Sequence, residues 1–309
     1  MERLVVIGAG AVGGSIGGLL SRTGLAVTFI ARGEHAAVMR ERGLHLRTPA
    51  ESLRLEIPVA LSVEEIDWKP GDVALVATKL GDARAVFDEL ALHAGSQLPV
   101  VCAFNGIHGE RWASDRFSTV LSMLIWLPAT HLQPGVVLLH SQGSLGVLDV
   151  GPTCGDSQLE LCERMGTHLR QAGFDSVSRT DIAEWKVAKL ISNLGNTAQA
   201  LVQDDWLSVC EAARQEGTAI LEAAGVLCTA RDVLLERVAK VKLGTIDGAD
   251  REGGSTWQSR ARGKPLESPW LEGVIVELAA QLGISAPINQ RIVEAAREAR
   301  DYSVAELLG

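Results

Sequence analysis

The chain has 309 residues, with 29 Lys and Arg against 38 Asp and Glu, a formal net charge of −9. That balance excludes non-specific binding to nucleic acid and docking on an anionic membrane, both of which rest on basic side chains. A hydrophobic content of 47% and a charged content of 22% mark a globular chain, long enough for about two domains.

In chain order, Arg3–Ile7 is a run of β-formers, followed by glycines and a helical pattern to about Arg22. Ala26–Ile30 reads as a second strand, closed by Ala31-Arg32-Gly33. Leu44–Arg47 and Leu53–Val59 are weaker strand signals. Asp72–Ala77 and Pro99–Phe104 are continuous and valine-rich, as strands are when helices cover both faces of a parallel sheet. Leu80–Ala94 reads as the helix between them. Thr119–Trp126, Val136–His140 and Gly143–Val150 read as further strands, the last two able to form a hairpin across Ser141-Gln142. A helix over Asp156–Ala172 and a strand at Asp175–Ser178 close this half. From Asp181 onward only helical periodicity is visible: Asp181–Leu201, Trp206–Ala224, Ala230–Lys242, Pro269–Leu282 and Pro287–Ala299, with a loop-rich stretch over Thr245–Pro269. The expected fold class is α/β. A Rossmann-type dinucleotide-binding domain over residues 1–180 precedes an all-helical domain over residues 181–309.

Several features are missing. Met1 to Gly10 has neither the basic nor the long apolar region of a signal peptide. The most apolar stretch, Val120–Leu127, stops at Pro128 and is too short to span a bilayer. Five scattered cysteines (Cys102, Cys154, Cys162, Cys210, Cys228) contain no CxxC pair, so no metal site is expected. Reduced thiols and a cytoplasmic location are the expectation.

Gly8-Ala9-Gly10-Ala11-Val12-Gly13 stands between the first strand and the first helix. In that context the glycines allow a tight turn, approach of backbone to a pyrophosphate, and close helix–strand packing. The pyrophosphate would take hydrogen bonds from free N–H groups at the helix N-terminus. Arg32 ends the second strand, where NAD enzymes place a carboxylate for the ribose 2′-hydroxyl. A cation there would pair with the 2′-phosphate of NADP(H), although Glu34 is close by. Lys79 and Asn105 follow two more strands; each reads as a residue of the ligand-binding edge or of a surface loop.

The proton donor must come from elsewhere. Tyr302 is the only tyrosine and has no lysine four residues on, and no histidine lies beyond His168. Lys189 and Asn193 are four apart and share a helix face, with Asn196 three further, on a helix that otherwise looks buried. Either a substrate's carboxylate and hydroxyls partner this polar stripe, or it faces solvent.

These residues fall in an order that resembles the ketopantoate reductase family. GAGAVG, Arg32, Lys79 in ATKLGDA, Asn105 in FNG, Lys189-Leu-Ile-Ser-Asn193, Ser255 and Glu267 all follow the family's sequence. The resemblance spans essentially the whole chain. It implies NADPH-dependent reduction of 2-dehydropantoate to pantoate in pantothenate synthesis. It implies Lys189 as catalytic lysine and Glu267 as its acidic partner in the site. Asn105, Asn193 and Ser255 would contact substrate or nicotinamide, with Asn196 of the polar stripe as a further candidate substrate contact; Gly8, Gly10, Ala11, Val12, Gly13, Arg32, Lys79 and Asn105 would hold the cofactor. The family's second asparagine stands eight after the lysine; here Thr197 does, and Asn196 is one residue early. After the glutamate the chain reads Ser268-Pro269-Trp270-Leu271-Glu272-Gly273 where the family has Asp-Tyr-Leu/Ile-Asn-Gly, a departure that bears on substrate choice.

The expected mechanism passes a hydride from nicotinamide C4 to the ketone carbon while the Lys189 ammonium stabilises the oxygen and protonates it. A free lysine titrates at roughly 10.4 and would be charged at neutral pH. Two rival readings stand beside it: a reductase or opine-type dehydrogenase for another substrate on the same fold, and a non-catalytic NADP sensor. The sequence leaves a homodimer open.

Overall fold

Buried aliphatic runs form a seven-stranded sheet, and the chain's two directions of travel across it fix where a ligand can bind. The computed structural model describes residues 1–155, 158–202, 205–249, 253–298 and 300–309, without the Ser255 side chain. In chain order the first half comprises β1 (Arg3–Ile7), α1 (Ala11–Ser21), β2 (Ala26–Ile30), α2 (Gly33–Arg42), β3 (Leu44–Arg47), β4 (Ser52–Leu55) and β5 (Val59–Ala60). Then follow β6 (Asp72–Val76), α3 (Leu80–Ala94), β7 (Val100–Cys102), α4 (His108–Ser114), β8 (Val120–Trp126), β9 (Ala129–Thr130), β10 (Val136–Leu139), β11 (Ser141–Gly143), β12 (Val147–Pro152) and α5 (Leu159–Gln171).

The large sheet has the order β12-β8-β7-β6-β1-β2-β5, parallel except for β12, which runs antiparallel to β8. From β1 the chain moves to β2, then crosses to β6, β7 and β8 on the other side. The switch point between β1 and β6 opens a crevice at the strands' carboxyl ends, where doubly wound sheets take ligands. All five residues of β6 are buried, which explains its unbroken apolar run.

A second sheet, β4-β3-β10-β9, packs on α1. It corrects the expected hairpin. Val136–Leu139 pairs in parallel with β3 and antiparallel with β9, whereas Val147–Pro152 joins the large sheet. The two strands bury their side chains in different sheets, and β11 lies between them. The expected strand Leu53–Val59 is interrupted before β5, where Pro58 supplies only its carbonyl, accepting from Phe29 N–H at 2.8 Å. Asp175–Ser178 makes two isolated parallel bridges, Val147 to Asp175 and Val150 to Ser178, rather than a full strand.

The remainder contains α6 (Ile182–Asn193), α7 (Asn196–Leu201), α8 (Trp206–Ala223), α9 (Arg231–Val238), β13 (Val241–Leu243), α10 (Ser255–Ala261), a 3-10 turn at Ser268–Trp270, α11 (Glu272–Leu282), α12 (Pro287–Glu298) and α13 (Val304–Leu308). The ends of the expected helices at Asp156 and Ala299 lie outside the described residues, as do residues 250–252 of the expected loop. Two compact units result: Met1–Ala183 with Leu235–Arg251, and Glu184–Leu234 with Glu252–Gly309.

The stretch after residue 181 is therefore not purely helical, nor all in one unit. The helix expected to run to Lys242 stops at Val238, and β13 pairs antiparallel with β11. Charge explains the return. Asp149, fully buried on β12, receives Arg237 at 2.5 and 3.0 Å, Arg179 at 2.7 Å and the Val177 N–H at 3.0 Å. Arg237 also reaches Asp175 at 2.9 Å, and Lys240 pairs with the same carboxylate at 2.7 Å. A carboxylate buried this deeply needs such partners.

Arg237→Ala leaves Asp149 short of its bidentate partner and is expected to cost about 3 kcal/mol of stability. Lys240→Ala, which removes an exposed partner, should cost less than about 1 kcal/mol. Urea unfolding of both variants checks the ranking, and proteolysis within residues 235–249 should accelerate only in the first.

Candidate active site

The first unit gathers four of the expected cofactor positions at neighbouring carboxyl ends, since β7, β6, β1 and β2 are adjacent in the sheet. The glycine loop follows β1. Gly8 has φ +94°, and a Cβ there would lie 2.9 Å from the Thr78 backbone nitrogen. A Cβ on Gly13 would come within 2.1 Å of the Gly8 carbonyl oxygen. These two glycines are therefore demanded by packing. Gly10 differs: only His131 Cδ2, at 3.9 Å, approaches a Cβ built there, outside Gly10's own chain neighbours. Its open side is room for a ligand.

Gly10 caps α1 without a side-chain hydrogen bond, and the first turn, which begins Ala11-Val12-Gly13, carries no acid. The first N–H groups of a helix have no intrahelical acceptor and sit at the positive end of its dipole. Arg32 precedes α2, is largely exposed, and pairs with Glu89 at 3.4 Å. Such a surface pair is weak and exchanges readily for a phosphate. Glu34 lies exposed in the first turn of α2. Lys79 precedes α3 and is half-buried beside Thr78, whose buried hydroxyl oxygen has no protein partner. Asn105, also half-buried, follows β7. This loop, open at Gly10 with an unsatisfied hydroxyl beside it, fits a dinucleotide.

Two histidines here escaped the sequence reading, which weighed histidine only as a proton donor from the helical part. His35 Nε2 lies 2.8 Å from the Ala9 carbonyl oxygen, and its Nδ1 accepts the Gly135 N–H at 2.8 Å. Burial holds its pKa below the usual value. The His131 ring packs against it at a 50° tilt, the ring centres 4.2 Å apart. No strand was expected over Ala129–Thr130, and the approach of His131 to Gly10 depends on how the second sheet packs.

The second unit supplies the expected catalytic stripe. Lys189 and Asn193 lie one turn apart on α6, and Asn196 Nδ2 donates to Asn193 Oδ1 at 3.3 Å. Asn193 is buried, and its own amide nitrogen has no protein partner. Lys189 is only partly exposed, with buried Lys186 one turn before it. Desolvation, then repulsion from Lys186, pushes Lys189 down to about 7. This corrects the expectation of a lysine fully charged at neutral pH. Ser255 opens α10, which packs on α7. Glu267 precedes the 3-10 turn, which packs on α11 and α12, and is half-buried. No group of His, Cys, Asp and Glu among the described residues is placed to hold a metal ion.

The expected single helix Asp181–Leu201 is broken after Asn193, and Gly195 has φ +85°. A Cβ on Gly195 would sit 2.5 Å from Cys210 Cα, so the break lets the chain press against α8. Glu272, fully buried at the start of α11, holds the break together. It accepts Gly195 N–H at 3.0 Å and the Thr197 hydroxyl at 3.1 Å. Thr197 and the segment that departs from the family pattern are thus in contact. Thr197 is committed to Glu272, a residue of the Ser268–Gly273 segment.

Burial raises Glu272 to about 7. Its folded pKa exceeds the unfolded one, so the folded state binds more protons between about pH 4.5 and 7, and stability falls as pH rises through that window. Glu272→Gln cannot ionise and should remove this slope, with a difference from the parent approaching roughly 3 kcal/mol across the window. Glu272→Ala should unfold earlier than the parent throughout. Denaturation midpoints at pH 5, 6, 7 and 8 check both.

Comparison with known proteins agrees with this geometry. The family described as "Ketopantoate reductase PanE/ApbA" matches residues 4–152, and its C-terminal counterpart matches residues 181–300. A protein of Pyrococcus horikoshii named 2-dehydropantoate 2-reductase is 25% identical over 303 residues, covering 93% of this chain and 94% of its own. A PanE/ApbA family ketopantoate reductase from Ralstonia eutropha JMP134 superposes with a TM-score of 0.78 at 23% identity, over 96% and 98% of the chains. D-mandelate dehydrogenase in complex with NADH and anilino(oxo)acetate superposes with a TM-score of 0.80 at 17% identity, over the same shares, and shares the fold. With both halves matched in order across a Rossmann-type unit and a helical one, the chain belongs to the ketopantoate reductase PanE/ApbA family of oxidoreductases.

Proposed function

We propose that the chain reduces a 2-oxo acid with NADPH, its substrate being 2-dehydropantoate and its product pantoate. The observation that carries the reading is the Lys189–Asn193 turn: a lysine brought to about 7 beside a buried amide with an unused donor. The name carried by the Pyrococcus relative supplies the substrate. Residues 1–180 serve the dinucleotide, and the helical elements within 181–309 serve the substrate.

Bound NADPH supplies the hydride that reduces the ketone carbon. The N–H groups of Ala11, Val12 and Gly13 hold the pyrophosphate, with Gly8 shaping the turn and Gly10 leaving room. Arg32 releases Glu89 and takes the 2′-phosphate. Lys79 and Asn105 line the nicotinamide side. The substrate's carboxylate offsets the repulsion between Lys186 and Lys189 and favours the charged form of Lys189. That ammonium holds the carbonyl oxygen as negative charge develops, then gives up its Nζ proton. Asn193 donates its free N–H to the substrate, with Asn196 and Ser255 completing the polar wall. Glu267 orients a hydroxyl of the substrate or the ribose.

Lys189→Ala should lower kcat at least about 100-fold while NADPH binding persists; a near-parental rate would remove the role. Because the donor must be protonated, kcat/KM for reduction should decline above about pH 7, and kcat, with the substrate carboxylate in place, only at higher pH. Arg32→Ala should weaken NADPH far more than NADH; equal weakening would remove the 2′-phosphate assignment. NADPH oxidation with 2-dehydropantoate beside a panel of branched and aryl 2-oxo acids tests the substrate. A higher kcat/KM for another member would replace it, and no turnover with any would favour the sensor reading.

A further inference from the structure

Three segments meet at the ring of His35, a half-buried residue in the first turn of α2. Its Nδ1 takes a hydrogen bond from the Gly135 N–H at 2.8 Å. A backbone N–H can only donate, so Nδ1 holds a lone pair. Its Nε2 lies 2.8 Å from the Ala9 carbonyl oxygen, which can only accept, so Nε2 carries the hydrogen. The two bonds together fit one form of the ring, the neutral Nε2–H tautomer. Shape holds the third segment in place as well: Gly135 has φ +72°, and a Cβ there would lie 2.3 Å from Val38 Cγ1 on α2.

The Ala9 carbonyl shares its peptide unit with the Gly10 N–H. In a planar trans peptide the two point in opposite directions. A carbonyl held toward α2 therefore turns the Gly10 N–H away from α2. That N–H has no protein acceptor among the described residues, and it belongs to the residue of the loop whose side is open. We propose that His35 is a positioning residue of the glycine loop: its neutral ring fixes the Ala9–Gly10 peptide so that the Gly10 N–H donates to the dinucleotide's pyrophosphate, and protonation of the ring releases the loop. This rests on the reading that the loop holds a dinucleotide. An imidazolium keeps its bond to Ala9 but cannot accept from Gly135, and two N–H groups then face each other. The neutral ring is the binding form, and burial favours it until the pH falls below the usual histidine range.

The surroundings add little charge. On and before α2, Glu34 and Arg32 are exposed, and Arg40, Glu41 and Arg42 stand at the far end of the helix. Ala11–Ser21 of α1, Val59–Ala60 of β5 and Val136–Leu139 of β10 carry no charged side chain. The titratable neighbour is His131, its ring centre 4.2 Å away. Beyond β10, β3 carries Arg47 and His45, the latter bonded to Ser52 at 2.8 Å.

The test is NADPH fluorescence titration from pH 8 to pH 5 for the parent, His35→Gln, His35→Phe and His131→Asn. A glutamine amide can donate to Ala9 and does not titrate. At pH 8 the glutamine variant should bind within about threefold of the parent, and the phenylalanine variant about tenfold more weakly. On going to pH 5 the parent should lose at least about threefold more affinity than His35→Gln. The 2′-phosphate of NADPH titrates alike in every protein, and NADH, which lacks it, should give the same ratio. The glutamine profile decides by itself should the phenylalanine variant not fold. Parallel profiles for the parent and His35→Gln, parental affinity in His35→Phe, or an acid loss that disappears in His131→Asn each overturn the proposal and leave the cofactor reading intact. A parent that binds neither NADPH nor NADH at pH 8 removes both.

Discussion

The closeness of α1 to its surroundings governs the first unit. Gly13 stands so near the Gly8 carbonyl that no side chain fits, and Gly14 would meet Val137 at 2.9 Å. A Cβ on Gly17 would lie 2.6 Å from the Phe29 ring, and one on Gly18 would lie 3.1 and 3.2 Å from Leu44 and Leu55. The helix is thus sunk between two sheets, with Val6 and Phe29 below and Leu44, Leu55 and Val137 on the other side. Close packing of this kind forfeits helix propensity at each glycine and regains it through buried contact. Its consequence is positional. The N-terminus of α1 is pinned at the switch point between β1 and β6, and the second sheet brings His131 to Gly10.

In the helical unit the equivalent constraint is the break at Gly195. An uninterrupted helix from 182 to 201 would carry its polar stripe straight on. The break redirects α7 onto α8, α10 and α12 while Asn196 still reaches back to Asn193. A buried carboxylate costs heavily unless its oxygens are used, and Glu272 uses both, one on a backbone N–H and one on a hydroxyl. Thr197 and Glu272 therefore make sense only together. The two residues stand 75 positions apart in sequence and touch in space.

Charge is distributed against the net value. A protein of −9 places Lys186 and Lys189 together on one buried helix and Arg32 and Lys79 at the sheet's carboxyl edge. Two of them are held in states that the proposed anionic ligands would improve: Lys189, brought down to about 7, and Arg32, on an exchangeable surface pair. The Asp149–Arg237 cluster is the opposite case, a carboxylate satisfied internally and given over to architecture.

The sequence by itself determined the elements whose pattern is local. Valine-rich runs marked β6 and β7, the glycine motif marked the β1–α1 turn, and a four-residue spacing put Lys189 and Asn193 on one face. Ordered spacing then carried the family. Long-range pairing decided the rest. Whether Val136–Leu139 joins β3 or folds back on its successor depends on which sheet buries it, and β-propensity is equal for both. Val241 and Lys242 became strand rather than helix because Arg237 is drawn to a buried aspartate 88 positions away. The pKa of Lys189, the commitment of Thr197 to Glu272 and the place of His131 beside Gly10 likewise followed from burial and neighbours. Desolvation and cross-chain contact are properties of the packed molecule, and no local spacing encodes them.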